Sequence, residues 1–361
     1  MFRSNVPPHP LPAGWRAAQL SQIARVHGGG RLKLNKSHYI DAGSQAYSAA
    51  GPDGFVEQVE GDTPTIVLSS IGARCGKSFL TDGPWTTLAN TQVITPNPEV
   101  ANAAFLHAIL DDENYWNRSG SAQPFIKPSD VKSAWVPLPP LDEQRRIADV
   151  LRSVDAAIAA SEDAERAGDA VFRRRREELI AGARQTSPEI LVASALQKNR
   201  GEKLIKLQTD QYYDSGRFPI IDQGARFICG YTDNDAALWP YELPVIVFGD
   251  HTRILKFIDF PFAIGADGTQ CLNPIPGIRA HYLYYALQSL DLRAEGYARH
   301  FKLLKERTIP VPDLSEQVAV EGELAAIENA VAEARLAKQK LVSLKAATVS
   351  NLISGLARVP T

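Results

Sequence analysis

The sequence predicts an α+β protein built twice over. Two mixed α/β domains are separated and joined by two long helices that form an antiparallel coiled coil, with an internal pseudo-twofold repeat. Three observations predict this. VPLPPLDEQ, starting at Val136, reappears as IPVPDLSEQ, starting at Ile309, an offset of 173 residues. The same offset joins Leu179-Ile180-Ala181-Gly182 to Leu352-Ile353-Ser354-Gly355, with no insertion between the two anchors. Upstream, Gly28, Tyr39, Asp41, Gly43 and Gly51 match Gly201, Tyr212, Asp214, Gly216 and Gly224 at 173 again. One offset shared by both sides of a variable stretch marks a duplicated unit.

Between Gly51 and Val136 the copies drift, as loops of differing length make them do. Thr65-Ile66-Val67 pairs with Val245-Ile246-Val247, Thr91-Gln92 with Thr269-Gln270, and Phe105-Leu106 with Tyr282-Leu283. The chain therefore reads as an α/β domain over 1–135, a helix over 136–185, a second α/β domain over 186–308 and a second helix over 309–361.

The helical segments obey local rules. Pro137, Pro139 and Pro140 forbid helix just upstream, and Asp142 is a good N-cap for the segment after it. Ile147, Leu151, Val154 and Ile158 recur at spacings of 4, 3 and 4, and Val320, Leu324, Ile327 and Val331 do the same. That spacing is an apolar seam, and alanine-rich filler keeps helix propensity high. Gly182 and Gly355 sit where a C-terminal cap is expected. A helix of about 40 residues is too thin to bury its seam alone, so the two most simply pair with each other. In the α/β segments, TPTIVLSS (63–70) and LPVIVFGD (243–250) read as strands bounded by Pro, Gly and Asp. AFLHAIL (104–110) and HYLYYALQ (281–288) read as one helix in each copy.

Composition bounds the function. The formal net charge is −2. Residues 12–135 carry 10 basic and 11 acidic side chains, and residues 186–308 carry 14 and 14. Any basic surface comes from placement and not from excess, which argues against coating nucleic acid unaided. Cys75, Cys229 and Cys271 are far apart, and fit neither a disulfide framework nor a metal motif. The N-terminus lacks the apolar core of a signal peptide and no apolar run is long enough to span a bilayer, so a reduced, cytoplasmic protein is expected.

Catalytic motifs are weak. Residues 72–78 spell GxxxGKS, one residue short of a phosphate-cradling loop, and read instead as a turn between strands. The seven histidines show no metal-ligand spacing. There is no methyltransferase Asn/Asp-Pro-Pro-Tyr/Phe motif and no strand-linked GxGxxG. Arg173 to Arg176 read first as a solvated helix face answered by Glu177 and Glu178. Tyr212-Tyr213 and Tyr284-Tyr285 read first as core, with stacking on nucleotides as the alternative.

The residues carry a family resemblance. PLPPLDEQRRIADVLRSVDAAI, with its downstream Leu-Ile-Ala/Ser-Gly, resembles the central conserved helix of type I restriction–modification specificity subunits. LPAGWRAAQLSQIARVHGGG, IGARCGKSF (71–79) and GSAQPFIKPSDVKSAWVPLP (120–139) resemble parts of that family's first target-recognition domain. The resemblance implies a non-catalytic, DNA-binding subunit whose two target-recognition domains read the halves of a bipartite, asymmetric site. The helices act as spacer and partner dock. Its implied partners are double-stranded DNA, two methyltransferase subunits and restriction subunits, with no membrane. No cofactor is expected in this chain; S-adenosylmethionine and ATP/Mg belong to the partner subunits.

Base readout needs paired donors and acceptors on loops held by a rigid frame. In the first reader the candidates are Arg31, Lys33, Lys36, Arg74, Lys77, Asn90, Gln92, Ser121 and Gln123. In the second they are Lys203, Lys206, Arg217, Arg226, Arg253, Gln270, Arg299, His300 and Lys302. Leu151, Val154, Ile158, Leu324, Ile327 and Val331 are expected to form the helix-pair seam or partner interface. Two other readings stay open: a coiled-coil adaptor whose α/β units bind protein, and a fragment of a single-chain, type II-like methyltransferase or nuclease.

Overall fold

The computed structural model describes residues 3–8, 10–120, 122–198, 204–266, 268–292, 299–354 and 356–358. The chain divides into two compact units, Met1–Glu162 with Leu336–Thr361, and Asp163–Arg335. Each unit thus combines one α/β domain with part of each long helix. Among the described residues no helix is long and apolar enough to cross a membrane.

The first unit runs β1 (Arg16–Gln19), α1 (Leu20–Ile23), β2 (Ala24–Gly28), β3 (Ser44–Ser48), β4 (Gly51–Val56), β5 (Ile66–Ser69), β6 (Ser78–Leu80), β7 (Trp85–Thr87), β8 (Thr91–Pro96), α2 (Ala103–Leu110), α3 (Pro128–Lys132), β9 (Trp135–Leu138) and the start of α4 (Leu141–Thr186). Strands order as β2-β8-β5-β6 in an antiparallel sheet, with a second sheet β4-β3-β7 and the pair β1-β9. The turn over 71–77 connects β5 to β6, as its sequence predicts. The core packs Phe105, Leu106, Ile109 and Leu110 of α2 against Ile66, Leu68 and Ile94. It takes in Ile147 and Leu151 of α4, and Leu352 and Ile353 near the C-terminus.

The second unit repeats the plan: β10 (Glu189–Leu191), α5 (Val192–Ala195), β11 (Phe218–Ile221), β12 (Gly230–Thr232), β13 (Val245–Gly249), β14 (Leu255–Ile258), β15 (Ala263–Ile264), β16 (Thr269–Leu272), α6 (Ala280–Gln288), α7 (His300–Lys305), β17 (Thr308–Pro310) and α8 (Leu314–Ser354). The sheet β14-β13-β16 answers β6-β5-β8, and β12-β11-β15 answers β4-β3-β7. Ser69 faces Thr91 as Gly249 faces Thr269, so the copies align at the registers their sequences suggest. Phe105-Leu106 and Tyr282-Leu283 are fully buried in the corresponding helices.

The long helices run antiparallel within each unit. Asp155 pairs with Lys345 at 2.6 Å and Glu143 with Arg358 at 2.7 Å in the first; Glu165 pairs with Arg335 at 2.8 Å, and Arg175 with Glu323, in the second. Leu151, Leu324 and Val331 are buried, and Val154, Ile158 and Ile327 half-buried. A Cβ on Gly168 would lie 2.5 Å from Val331 Cγ2, so that glycine lets the helices approach closely.

Two helix ends differ from expectation. Helix α4 begins at Leu141, placing Asp142 in its first turn beside Arg145. In α8 the cap is Asp313, whose Oδ1 accepts from the Glu316 N–H at 2.9 Å. Gly182 does not end α4, which continues to Thr186 because buried Ala183 still packs inward and Pro188 is the first residue that forbids helix. Gly355, the matching expectation, lies outside the described residues, as does Gly201.

Candidate nucleic-acid interface

In the first unit, β2 and β5 end, and β6 and β8 begin, at one edge of their shared sheet. The loops leaving that edge are tied to one another. Gly30 N–H donates to Thr87 Oγ1 at 3.2 Å, Ser70 N–H to the Asn90 carbonyl at 3.0 Å, and Gly72 N–H to the Pro124 carbonyl at 3.0 Å. Arg74 donates to the Ala50 carbonyl at 2.7 Å, joining the β3–β4 turn to the group. Gly30, Lys33, Gly72 and Asn90 all take positive φ, which bends the backbone tightly here. A rigid cluster of short loops results, on the expected frame.

This edge collects most of the first reader's candidates. Arg31, Lys33, Arg74, Asn90 and Gln123 are exposed on its loops. Lys36 lies on the next turn, ion-paired to Asp53 at 3.0 Å. Lys77 is half-buried and bound to Asp111 at 2.9 Å, so much of its charge is answered internally. Gln92 is not a loop residue: it sits in β8, 3 % exposed, donating to the Ile126 carbonyl at 3.1 Å. Alternation along the strand points it inward. Ser121 lies outside the described residues.

The second unit has a matching edge, where β13 ends and β14 and β16 begin. Asp250 N–H donates to the Gly268 carbonyl at 2.9 Å, as Ser70 does to Asn90, and both acceptors take positive φ. Arg226, Arg253, Arg299 and Lys302 are exposed. Arg253 reaches the Leu292 carbonyl at 2.7 Å and Lys206 the Thr269 carbonyl at 2.7 Å. Arg217 stands apart, paired with Asp235 at 3.0 Å and lying over the Phe218 ring. Gln270 is half-buried in β16. His300 is 3 % exposed, with Nδ1 3.0 Å from the Asp250 carbonyl, and helps to seat α7 under the loops. Lys203 lies outside the described residues.

Sequence reasoning missed the brace of the 222–229 loop. Lys256, on β14 and 4 % exposed, donates to the carbonyls of Asp222 at 2.8 Å and Arg226 at 2.5 Å. Burial pulls its pKa below the usual lysine value, against the nearby Cys229 and the Asp222 charge. Asp222 in turn accepts from the Cys229 thiol at 2.7 Å and the Tyr212 hydroxyl at 3.1 Å. The braced loop exposes Arg226 and Phe227. A lone lysine in a strand gives no sequence signal for this role.

The two units differ beside their helices. In the second, His281 and Tyr285 of α6 fill the space next to the helix pair, and the Tyr285 hydroxyl donates to Glu328 at 2.6 Å. The first unit has Ala104 and Ala108 at these places, leaving a cavity of about 540 Å³ lined also by Ala148, Leu151, Val349 and Ile353. The Arg173 to Arg176 run is partly engaged: Arg174 pairs with Glu178 at 2.8 Å, Arg175 with Glu178 and Glu323, and Arg176 binds Gln288 at 3.0 Å. Among the described residues no group of three or more His, Cys, Asp or Glu is placed to hold a metal.

Comparison with known proteins agrees with this architecture. Residues 12–166 match the family model of the type I restriction modification DNA specificity domain. The chain is 28% identical over 130 residues to the EcoR124I/EcoR124II specificity subunit of Escherichia coli, a match covering 34% of this chain and 32% of that relative. The aligned region thus spans about a third of the relative's length. The fold is similar to the type I restriction–modification S subunit from M. genitalium, with a TM-score of 0.68 at 16% identity over 98% of this chain and 99% of that one. It is also similar to a chain solved in a study of type I R-M complex assembly and conformational transition, with a TM-score of 0.54 at 16% identity over 96% of this chain and 100% of that one. The chain is thus similar to the type I restriction modification DNA specificity domain over residues 12–166, and similar in fold to the S subunit from M. genitalium over nearly its whole length.

Proposed function

We propose that this chain is the DNA-reading subunit of a type I restriction–modification complex, with no chemistry of its own. Each α/β domain reads one half of a bipartite, asymmetric site, while the long helices set the spacing and dock two methyltransferase subunits. Restriction subunits join through that complex. The observation that carries the reading is the duplicated loop edge: one frame, built twice with a backbone tie in common, Ser70 to Asn90 and Asp250 to Gly268, bearing different exposed side chains. Different side chains on equal frames suit two different half-sites. The near-neutral charge of both units supports weak DNA binding by the chain alone, with partner subunits supplying further phosphate contacts.

The test is reconstitution with methyltransferase subunits of a type I system. Specific, salt-dependent DNA binding and methyl transfer are expected from the complex, and neither from the isolated chain in about 0.15 M salt. Methyl transfer by the pure chain would favour the fragment of a single-chain enzyme. A complex that forms without binding DNA would favour a protein adaptor.

A further inference from the structure

Tyr39 and Tyr212 match at the 173-residue offset, and around each the chain builds the same small device. A 3-10 turn, Lys36–His38 in one unit and Thr209–Gln211 in the other, ends on the tyrosine. The tyrosine N–H closes the turn on the carbonyl of Lys36 or Thr209. The side chain then lies against a glycine of the neighbouring strand. A Cβ on Gly54 would sit 2.5 Å from the Tyr39 ring, and one on Gly230 2.7 Å from Tyr212 Cβ. Four residues on, Gly43 and Gly216 press against the backbone of Val56 and Thr232, where a Cβ would lie 2.5 and 3.1 Å away. Both ends of the step are pinned in both copies.

The residue after each tyrosine bridges to the adjacent strand, Ile40 to Phe55 and Tyr213 to Tyr231, while its own side chain stands in solvent. Ile40 is 45 % exposed and Tyr213 62 %. Asp41 and Asp214 come next, both exposed and without an ion pair among the described residues. A single exposed apolar residue needs no explanation. A pinned backbone that presents an apolar side chain and a free carboxylate at the same place in both copies, with the apolar residue changed between them, does. It is the arrangement that sequence readout requires: a constant frame and a variable tip.

The chemistry selects what the tip meets. A carboxylate is repelled by phosphate, so it does not serve as a backbone contact. It accepts from an exocyclic amino group, as on cytosine, at a major-groove base edge, and a neighbouring apolar side chain meets a thymine methyl. We infer that Ile40-Asp41 and Tyr213-Asp214 are base-reading tips, each touching its own half of the DNA site. The assignment rests on the DNA-reading role proposed for the chain.

The experiment uses the reconstituted methyltransferase complex and maps methylated sites on a random-sequence DNA library. The variants are Ile40→Ala, Asp41→Asn, Tyr213→Ala and Asp214→Asn. The first two are expected to relax preference at one or two adjacent base pairs of one half-site by at least about tenfold, and the last two at the other half-site. Complex formation and melting temperature stay unchanged, since all four side chains are exposed. A wild-type complex with a defined motif, whose variants keep that motif unaltered, would overturn the inference and leave the DNA-reading role standing. So would a loss of binding spread evenly over all sequences, which marks a phosphate contact. A wild-type complex with no sequence preference would instead overturn the DNA-reading role itself.

Discussion

Gln144 and Gln317 make the same three hydrogen bonds in their respective units. Gln144 Nε2 donates to the carbonyls of Val100 at 3.0 Å and Pro139 at 2.9 Å, and its Oε1 accepts from the Asn102 N–H at 2.8 Å. Gln317 donates to Gly277 at 3.0 Å and Pro312 at 2.9 Å, and accepts from Arg279 at 2.8 Å. Both side chains are fully buried. Each one ties the entry of a long helix to the start of the short helix in its α/β domain. Under the proposed function, that tie would carry a spacing set by the helices to the loops.

Either glutamine is therefore expected to be structurally intolerant. Gln144→Leu or Gln317→Leu removes three bonds and strands buried backbone groups, at a cost of about 2–4 kcal/mol. Thermal melts of the two variants should show losses of similar size, because the two environments are alike. A loss confined to one variant would contradict the equivalence.

The cavity in the first unit predicts a stabilising substitution. Ala108 occupies the place that Tyr285 fills in the second unit, and Asp155 the place of Glu328. Ala108→Tyr should fill apolar space and raise the melting temperature, a gain of roughly 1 kcal/mol being typical of cavity filling. A lower melting temperature would mean that the surrounding side chains do not admit the ring.

His107 predicts an acid sensitivity. Burial holds its pKa below the ordinary histidine value of 6.5, with Lys345 and Lys77 adding to the shift and Asp111 opposing it. Its Nε2 lies 3.2 Å from the Ser78 carbonyl. The unfolded chain then binds a proton that the folded chain resists, so this contribution is full above about pH 6.5 and is lost as pH falls through the lowered folded value. Denaturation midpoints between about pH 7.5 and 5 should fall less steeply for His107→Gln than for the parent. Parallel curves would show that the histidine titrates without cost in the fold.

How far the sequence discloses this molecule depends on the range of each cause. The repeat, the long helices and the paired strands are legible because they rest on local periodicity and on one offset. Even the drifting middle is legible where buried pairs such as Phe105-Leu106 and Tyr282-Leu283 keep their character. The role of Gln144 is not legible, since its partners Val100 and Asn102 lie more than forty residues upstream. Among the candidates, Gln92 and His300 have the right chemistry for readout but the wrong orientation, which strand register and the seating of α7 decide. Ile40 and Tyr213 escape a search for readout among polar side chains. Their signal is the matched Tyr-x-Asp-x-Gly step around them.

The most direct test of two independent readers on one duplicated frame is a domain exchange read by methylation mapping. Residues 1–135 are replaced by the corresponding domain of another family member, and the complex with methyltransferase subunits is mapped beside its parent. A split motif in which one half-site changes while the other half and the spacer stay the same is the predicted result. A change in both half-sites, or a single uninterrupted motif for the parent complex, would contradict the account.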